Sequence, residues 1–346
     1  MKRRIITIFA ISAILLSGCG KLKPGILYNE AWNYYDRGDF DNAAMTFELA
    51  IEKEGATEEN LRALGITYLV KEQYTEARDT FLKALGAHTG RLTELDYDTN
   101  RYLGLTFEKL SDYKSAAEVY TAILDLKKKD YDSYYRRGVC YLNLSDKTSA
   151  EADFAKFTGA YKNDFEKHVL VYKAYCDAEY ETDGESYLKA YYQANEKSLT
   201  DYEKGVILYY LKDYSNARTL LESAKSMSNP DTILMLGETY EAIGDYSYAA
   251  SLYNAYLTEK GNNASLYNRL GIAKMKSGDY EGALLAFNSG LNLKDSEFEK
   301  VLLFNEAVCY EYLLDFTTAK EKMAAYVAKY PWDKTAEHEL IFLETR

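Results

Sequence analysis

Apolar and polar positions follow one pattern along most of the chain, and the pattern returns at intervals of about 34 residues. The stretch GDFDNAAMTFELAIE (38–52) recurs as EQYTEARDTFLKALG (72–86), and later as GDYSYAASLYNAYLT (244–258) and GDYEGALLAFNSGLN (278–292). Apolar residues three and four apart in each stretch form one face of a helix. A fixed period of this length predicts stacked helical hairpins.

Nine units of this kind follow one another, and each is predicted to form two antiparallel helices. They span residues 24–57, 58–91, 97–130, 131–164, 165–197, 198–229, 230–263, 264–297 and 300–333. The closing segment, DKTAEHELIFLETR (333–346), carries Ala336, Leu340, Ile341 and Leu343 near helical spacing. It is predicted to be a capping helix over the last exposed face.

Small residues occupy one equivalent position in each predicted first helix and one in each second helix. The first-helix positions are Ala31, Gly65, Gly104, Gly138, Gly205, Gly237, Gly271 and Ala307, with Tyr172 in the fifth unit. The second-helix positions are Ala43, Ala77, Ala116, Ala150, Gly184, Ala217, Ala249, Ala283 and Ala319. Small side chains there predict a close approach of the paired helices.

The turn between the two helices has its own pattern. An aspartate suited to cap the second helix stands at Asp39, Asp112, Asp146, Asp213, Asp245, Asp279 and Asp315. Gly38, Gly244 and Gly278 precede it in three units and suit the end of the first helix. The fifth unit lacks this turn and departs most from the pattern, although a helix pair is still predicted.

The spacing changes between the second and third units, where five extra residues lie around GAHTGRLTELD (86–96). The resulting surface loop is compatible with contact to a partner or with a tolerated insertion. The second interpretation is favoured, because surface loops accept insertions readily.

The period and the columns of small residues resemble the tetratricopeptide repeat, a 34-residue pair of antiparallel helices. The resemblance covers residues 27–332. It implies an all-α, right-handed superhelical solenoid of about nine helix pairs, closed by the capping helix at 333–346. In this family the first helices form a curved inner wall that binds extended peptides or a partner helix.

The resemblance also implies which side chains face a partner. The inner-wall positions give Tyr28, Trp32, Tyr35, Arg62, Arg101, Tyr135, Tyr202, Tyr209, Tyr210, Phe304 and Tyr312 as a partner-binding groove. Relatives that hold a chaperone's C-terminal carboxylate need an asparagine on the first helix that follows a Lys or Arg. Ile66 follows Arg62 instead, so this clamp is not expected.

Tyrosine is unusually frequent, with 35 residues, and thirteen of them occupy framework columns of the repeat. Tyrosine is enriched at binding sites because it joins a stiff apolar body to a hydrogen-bonding tip. Tyr202, Tyr209 and Tyr210 are spaced so that one helix could present them together. Packing between units explains them equally well, and both interpretations stay open.

The start of the chain resembles an export signal. Lys2, Arg3 and Arg4 precede the uncharged, mostly apolar residues 5–16, which are too few for a membrane span of about 20 residues. The motif LSGC (16–19) resembles the lipobox of bacterial lipoproteins. The alternatives are an ordinary secretory signal, or a membrane anchor, with a chance cysteine.

The lipobox resemblance implies cleavage before Cys19 and attachment of lipid to its sulfur. Residues 1–18 would then be a signal peptide and residues 19–26 a short tether that carries the lipid. The protein is expected on the extracytoplasmic side of a bacterial membrane, in the periplasm or at the cell surface. Stable anchoring needs two or more acyl chains, which members of this lipoprotein class carry.

The net charge and the positions of the histidines and cysteines disfavour several classes of function. The net charge of −12 becomes −15 once the three basic residues of the signal are removed, which disfavours nucleic acid and favours a partner with basic segments. His88, His168 and His338 lie in different units without metal-ligand spacing. Cys140 and Cys309 are predicted to be small core residues. No catalytic residue, metal or cofactor is predicted.

The sequence therefore predicts a membrane-tethered, non-catalytic scaffold of the bacterial cell envelope. Its partner would be another envelope protein or peptide, bound on the concave surface of the repeats. The alternative is a surface lipoprotein that binds glycans through the aromatic-rich groove, although Trp32 and Trp332 are the only tryptophans.

Overall fold

A computed structural model describes residues 25–225 and 229–346, which fold as helices without a strand in either range. The signal sequence and Cys19 lie outside these residues. The helices are α1 (Ile26–Asp36), α2 (Phe40–Glu54), α3 (Glu58–Val70), α4 (Tyr74–Ala87), α5 (Glu94–Lys109), α6 (Tyr113–Leu126), α7 (Tyr131–Asn143), α8 (Lys147–Ala160), α9 (Phe165–Asp177), α10 (Glu181–Asn195), α11 (Asp201–Tyr210), α12 (Tyr214–Ala224), α13 (Pro230–Ala242), α14 (Tyr246–Lys260), α15 (Ala264–Lys276), α16 (Tyr280–Leu291), α17 (Ser296–Tyr312), α18 (Phe316–Lys329) and α19 (Lys334–Glu344). In the described part of the chain, no helix has the length and apolar content needed to cross a membrane.

Odd-numbered helices from α1 to α17 are the first helices of nine pairs, and α19 caps the last pair. The predicted all-α solenoid is therefore confirmed. The described residues divide into two compact units, with the boundary between Gly184 and Glu185. The division falls inside α10, in the fifth pair, whose motif departs most from the pattern. Within each unit, several first helices also contact the next first helix, as α3 contacts α5 and α15 contacts α17.

The predicted aspartate caps are confirmed in all seven turns. Each aspartate side chain accepts a hydrogen bond from the backbone N–H three residues later. The residue before it has a positive φ, for example 75° at Gly38 and 87° at Gly244. Ser111 and Leu314 adopt the same left-handed conformation at 58° and 61° without being glycine. The turn geometry is thus more regular than the glycine pattern of the sequence.

The columns of small residues are buried where the paired helices meet. Every alanine in the two columns is 0% exposed. At Gly271 an added methyl group would lie 2.3 Å from the Phe287 ring, so the ring occupies the space that a side chain would need. The same contact joins Gly65 to Phe81, Gly104 to Tyr120, Gly138 to Phe154 and Gly237 to Tyr253.

The fifth pair differs from the others in both columns. Tyr172 stands in the first-helix column and is 6% exposed, while the second-helix column holds a glycine. A methyl group on Gly184 would lie 3.3 Å from the Tyr172 ring. Tyr172 therefore fits because the neighbouring second-helix position holds glycine, where the other units have alanine.

Two further predictions concern the core and the cap. Cys140 and Cys309 are both 0% exposed, which confirms them as core residues. Leu343 of α19 is buried against the last hairpin, but Ile341 is 55% exposed. Ile341 lies outside the cluster that α19 covers, so apolar spacing alone overestimated its burial.

Candidate partner-binding surface

The eleven groove residues predicted above are called the first-helix surface here. Within the first unit, Trp32 lies at the centre of an aromatic cluster. Its ring centroid is 4.9 Å from that of Tyr35 and 5.4 Å from that of Phe47, and Tyr28 lies 5.8 Å from Phe47, all in edge-on contacts. The three residues that α1 contributes to the first-helix surface, Tyr28, Trp32 and Tyr35, are half-buried. They therefore hold the first repeat together and offer only part of each ring to a partner.

The two arginines of the surface connect successive first helices. Arg62 of α3 forms an ion pair with Asp98 of α5, and its guanidinium lies 5.2 Å from the centre of the Tyr102 ring. Arg101 of α5 donates from Nε and Nη2 to Oδ2 of Asp130 at 3.1 and 2.8 Å. Both charges are thus compensated within the protein.

Tyr135 of α7 lies against Phe157, with ring centroids 5.1 Å apart. Burial raises the pKa of Tyr135 to about 12.

A partly buried set of three polar residues occurs in both units, and none of its members belongs to the eleven residues of the first-helix surface. The set is Glu108, Tyr120 and Arg136 in the first unit, and Glu241, Tyr253 and Arg269 in the second. Each tyrosine hydroxyl donates to the carboxylate, and the arginine lies 3.5 or 3.7 Å from it. The tyrosine follows the glutamate by 12 residues and the arginine follows it by 28 in both copies. A comparison of these spacings would have revealed the set.

Burial raises the pKa of Glu108 and of Glu241, while the hydrogen bond from Tyr120 or Tyr253 and the nearby arginine charge lower it. A buried carboxylate needs such partners, because leaving it unpaired is costly. Each glutamate is therefore held in place by its own repeat and the next.

In the second unit, Tyr202, Tyr209 and Tyr210 lie on α11 and are half-buried. The ring of Tyr209 lies 5.3 Å from that of Tyr210 and 5.7 Å from that of Tyr214. Burial raises the pKa of Tyr209 to about 12, so its hydroxyl stays neutral. Phe304 packs edge-on against Tyr326 at 5.7 Å in the cluster that α19 completes.

Tyr312 is the one residue of the first-helix surface that is exposed, at 56%. It stacks on Tyr280 with centroids 5.4 Å apart and ring planes 23° apart. Tyr248, on the second helix α14, is 40% exposed and lies 4.2 Å from Tyr240. These two similar tyrosines on different kinds of helix provide a matched pair for testing which side binds a partner.

A family model described as Tetratricopeptide repeat matches residues 28–91, 103–165 and 234–296, which is more than half of the chain. The chain belongs to the tetratricopeptide repeat family. Repeats of this family form scaffolds for protein–protein interaction and are generally not catalytic. No curated protein matches this tetratricopeptide repeat protein.

Several solved structures are similar to this chain, and two of the three described here are tetratricopeptide repeat proteins by their descriptions. One from Parabacteroides merdae is 17% identical, covers 82% of this chain and 97% of its own, and has a TM-score of 0.43. YrrB, described as having an unusual peptide-binding site, is 22% identical, covers 51% and 88%, and has a TM-score of 0.41. MamA from Desulfovibrio magneticus is 16% identical, covers 51% and 99%, and has a TM-score of 0.43.

One group of side chains outside the first-helix surface could hold a metal ion. Glu58, His88 and Asp96 place one ligand atom each within 4.8 Å of one another. The three residues lie 30 and 8 positions apart along the chain, so no short metal-ligand motif marks them. The feature of the sequence that could have indicated this cluster is the inserted loop, where Thr93 and Asp96 form a capping box for α5.

Two carboxyl groups meet where the capping helix joins the last repeat. Glu311 of α17 hydrogen-bonds Glu339 of α19, and burial, together with the charge of Glu339, raises the pKa of Glu311 to about 7. The folded protein therefore holds a proton that the unfolded chain releases near the ordinary value of 4.5. The resulting stability is fully present below about 4.5 and is lost as the pH rises through about 7.

We expect the thermal midpoint of Glu311→Gln to equal that of the original protein near pH 5 and to exceed it near pH 8. Glutamine keeps a neutral hydrogen-bonding group at both values, whereas the two carboxylates repel each other once both are ionised. Thermal unfolding monitored by circular dichroism across this range measures the difference. Glu344→Gln, at an exposed position of α19, is the control and should leave the pH profile unchanged. A constant offset between Glu311→Gln and the original protein would contradict the prediction.

Proposed function

We propose that this tetratricopeptide repeat protein is a lipid-anchored, non-catalytic scaffold of the bacterial cell envelope. It binds a partner protein or peptide through the first-helix surface. The proposal is supported by two features that occur in the same chain. One is a repeat array of a family that mediates protein–protein interaction, and the other is the motif LSGC after an apolar segment.

The chemistry of the first-helix surface supports a peptide-like partner. Its arginines are paired within the protein, which leaves aromatic rings with hydroxyl tips as the available groups. Such groups bury apolar side chains and hydrogen-bond a peptide backbone at the same time. The acidic net charge of −12 favours a partner with basic segments, through faster association and better charge matching.

The glycan alternative requires exposed aromatic rings on which a sugar can stack. The two tryptophans instead pack against other side chains of the protein. Trp32 packs on Phe47 and Tyr35, and Trp332 packs with Tyr330 against the cluster under α19. Both contribute to repeat packing. The scaffold proposal is therefore preferred, and sugar binding becomes an outcome of its test.

The tether limits where the partner lies. Six residues lie between Cys19 and Ile26, where α1 begins, so the seven steps along the tether span at most roughly 25 Å when extended. The first repeat is then held close to the membrane surface, and the partner must reach that layer.

We expect Tyr312→Ala to weaken partner binding by roughly fivefold to thirtyfold, the loss of an exposed aromatic contact worth about 1–2 kcal/mol. Tyr248→Ala should bind normally, because it removes a similarly stacked tyrosine from a second helix. The measurement is crosslinking in intact cells, followed by purification of the tagged full-length protein and quantitative mass spectrometry. A combined Tyr202, Tyr209 and Tyr210 to alanine variant should lose the partner completely, provided circular dichroism shows native helix content.

The proposal fails if no envelope protein is enriched, or if Tyr248→Ala and Tyr312→Ala reduce enrichment equally. Calorimetric titration with oligosaccharides then becomes decisive. Saturable binding of a sugar by the original protein, lost in Tyr312→Ala, would establish the glycan alternative instead.

A further inference from the structure

The inserted loop between the second and third repeats brings together three side chains from three helix ends. Glu58 lies in the first turn of α3, His88 follows the last residue of α4, and Asp96 lies in the first turn of α5. Nδ1 of His88 is 3.2 Å from Oε2 of Glu58 and 3.2 Å from Oδ1 of Asp96. The loop with the five extra residues that interrupt the period therefore brings the side chains of His88 and Asp96 into contact.

The cluster is shielded from water and has unsatisfied acceptors. The side chains of Asp96, Glu58 and His88 are 3%, 10% and 15% exposed. Oε1 of Glu58 is buried and has no hydrogen-bond partner in the described residues. Oδ2 of Asp96 is already occupied by the N–H and hydroxyl of Thr93. Two nearly buried carboxylates thus share one imidazole, and one carboxylate oxygen remains unpaired at a cost of about 1–3 kcal/mol or more.

Hydrogen bonding alone accounts poorly for this arrangement. A single Nδ1–H shared between two carboxylates makes only a three-centre bond to them, and both distances exceed the roughly 2.7–2.9 Å of a charge-assisted bond. Each acid taken singly has an ordinary explanation, because carboxylates are favoured in the first turn of a helix. Their convergence on one ring nitrogen needs a further cause.

We propose that Glu58, His88 and Asp96 bind a divalent transition-metal ion of the zinc class. One imidazole nitrogen and two carboxylate oxygens are common ligands of zinc, with a water at the fourth position. Ligands about 2.0–2.1 Å from a tetrahedral ion lie roughly 3.3 Å apart, close to the two observed separations of 3.2 Å. The nitrogen ligand disfavours calcium and magnesium, which take oxygen.

The bound ion would join the start of α3, the end of α4 and the start of α5. It would hold the second and third repeats in one arrangement and neutralise the carboxylates. The ion binds the folded chain through residues that unfolding separates, so it stabilises the fold by mass action. This role goes beyond the proposed scaffold function and does not depend on the partner.

The test is zinc titration of the metal-stripped full-length protein in detergent, by competition with a chromogenic chelator. We expect the original protein to bind about one equivalent of zinc and to melt at a higher temperature with zinc than with magnesium. His88→Gln and Glu58→Gln should each weaken zinc binding at least tenfold and remove the thermal shift. His338→Gln, at an exposed position of α19, is the matched control and should bind normally.

Equal zinc affinity in all four proteins would place the ion elsewhere and overturn the proposal. Absence of saturable binding by the original protein at zinc concentrations up to about 100 μM would overturn it as well. Glu58→Gln preserves the volume of the side chain and leaves the Thr93–Asp96 capping box intact. It therefore decides the question even if His88→Gln proves unstable.

Discussion

The Cys19→Ser protein is expected to incorporate no fatty acid and to lose stable attachment to the membrane. If the lipid is joined to the sulfur of Cys19, serine offers no thiol to which it could be joined. Each buried methylene contributes about 0.8 kcal/mol to membrane binding, and stable anchoring takes at least two acyl chains. Loss of all chains therefore removes essentially the whole binding free energy. The measurement is metabolic labelling with a clickable fatty acid, followed by separation of membrane and aqueous fractions.

Cys176→Ser is the matched control, because Cys176 is a partly exposed cysteine far along the chain from the motif. It should label and fractionate like the original protein. In Cys19→Ser the signal is expected to remain uncleaved, and residues 5–16 could keep some protein at the membrane. A third protein, with residues 1–19 replaced by an ordinary cleavable secretory signal, separates this effect from lipid anchoring. Labelling of Cys19→Ser at the original level would show that Cys19 is not the lipid site.

The features that the sequence predicted correctly are local or periodic. Asp39 and Asp279 cap helices because a side chain at that position meets the N–H three residues later, a contact decided within one turn. The burial of Ala43 and Gly271 follows from the period, because the same helix–helix crossing recurs in every repeat. Both kinds of feature depend on short distances along the chain, and a single sequence contains them.

The contacts that the sequence did not predict join side chains that lie about one repeat apart. Arg62 meets Asp98, 36 residues later, and Glu58 meets His88, 30 residues later. The period indicates that such residues are neighbours in space. It does not determine which rotamer a long side chain adopts or which of several acids it contacts. For this reason the sequence identified Arg62 as facing a partner, whereas the structure shows its charge paired within the protein.

The glycines of the first helices are expected to be essential for stability. Gly271→Ala should lower the free energy of unfolding of the second unit by about 2–3 kcal/mol. The added methyl would lie 2.3 Å from a carbon of the Phe287 ring, and Phe287 is 0% exposed. Overpacking of a dense core costs about 1–3 kcal/mol. The gain in helix propensity of about 1 kcal/mol is too small to offset the displacement of a fully buried ring. Urea unfolding monitored by circular dichroism at 222 nm measures the change.

Gly159→Ala is the control, because Gly159 lies in α8 with no atom within 4 Å of an added methyl group. Its stability should be unchanged or slightly higher. A rescue is suggested by the ninth repeat, where the buried pair Ala307 and Met323 replaces glycine and the aromatic ring. Gly271→Ala combined with Phe287→Met should therefore be more stable than Gly271→Ala alone, although it removes a buried aromatic ring. Because residues in contact couple while distant ones add, a double variant less stable than the single one would show that the ring does not cause the loss.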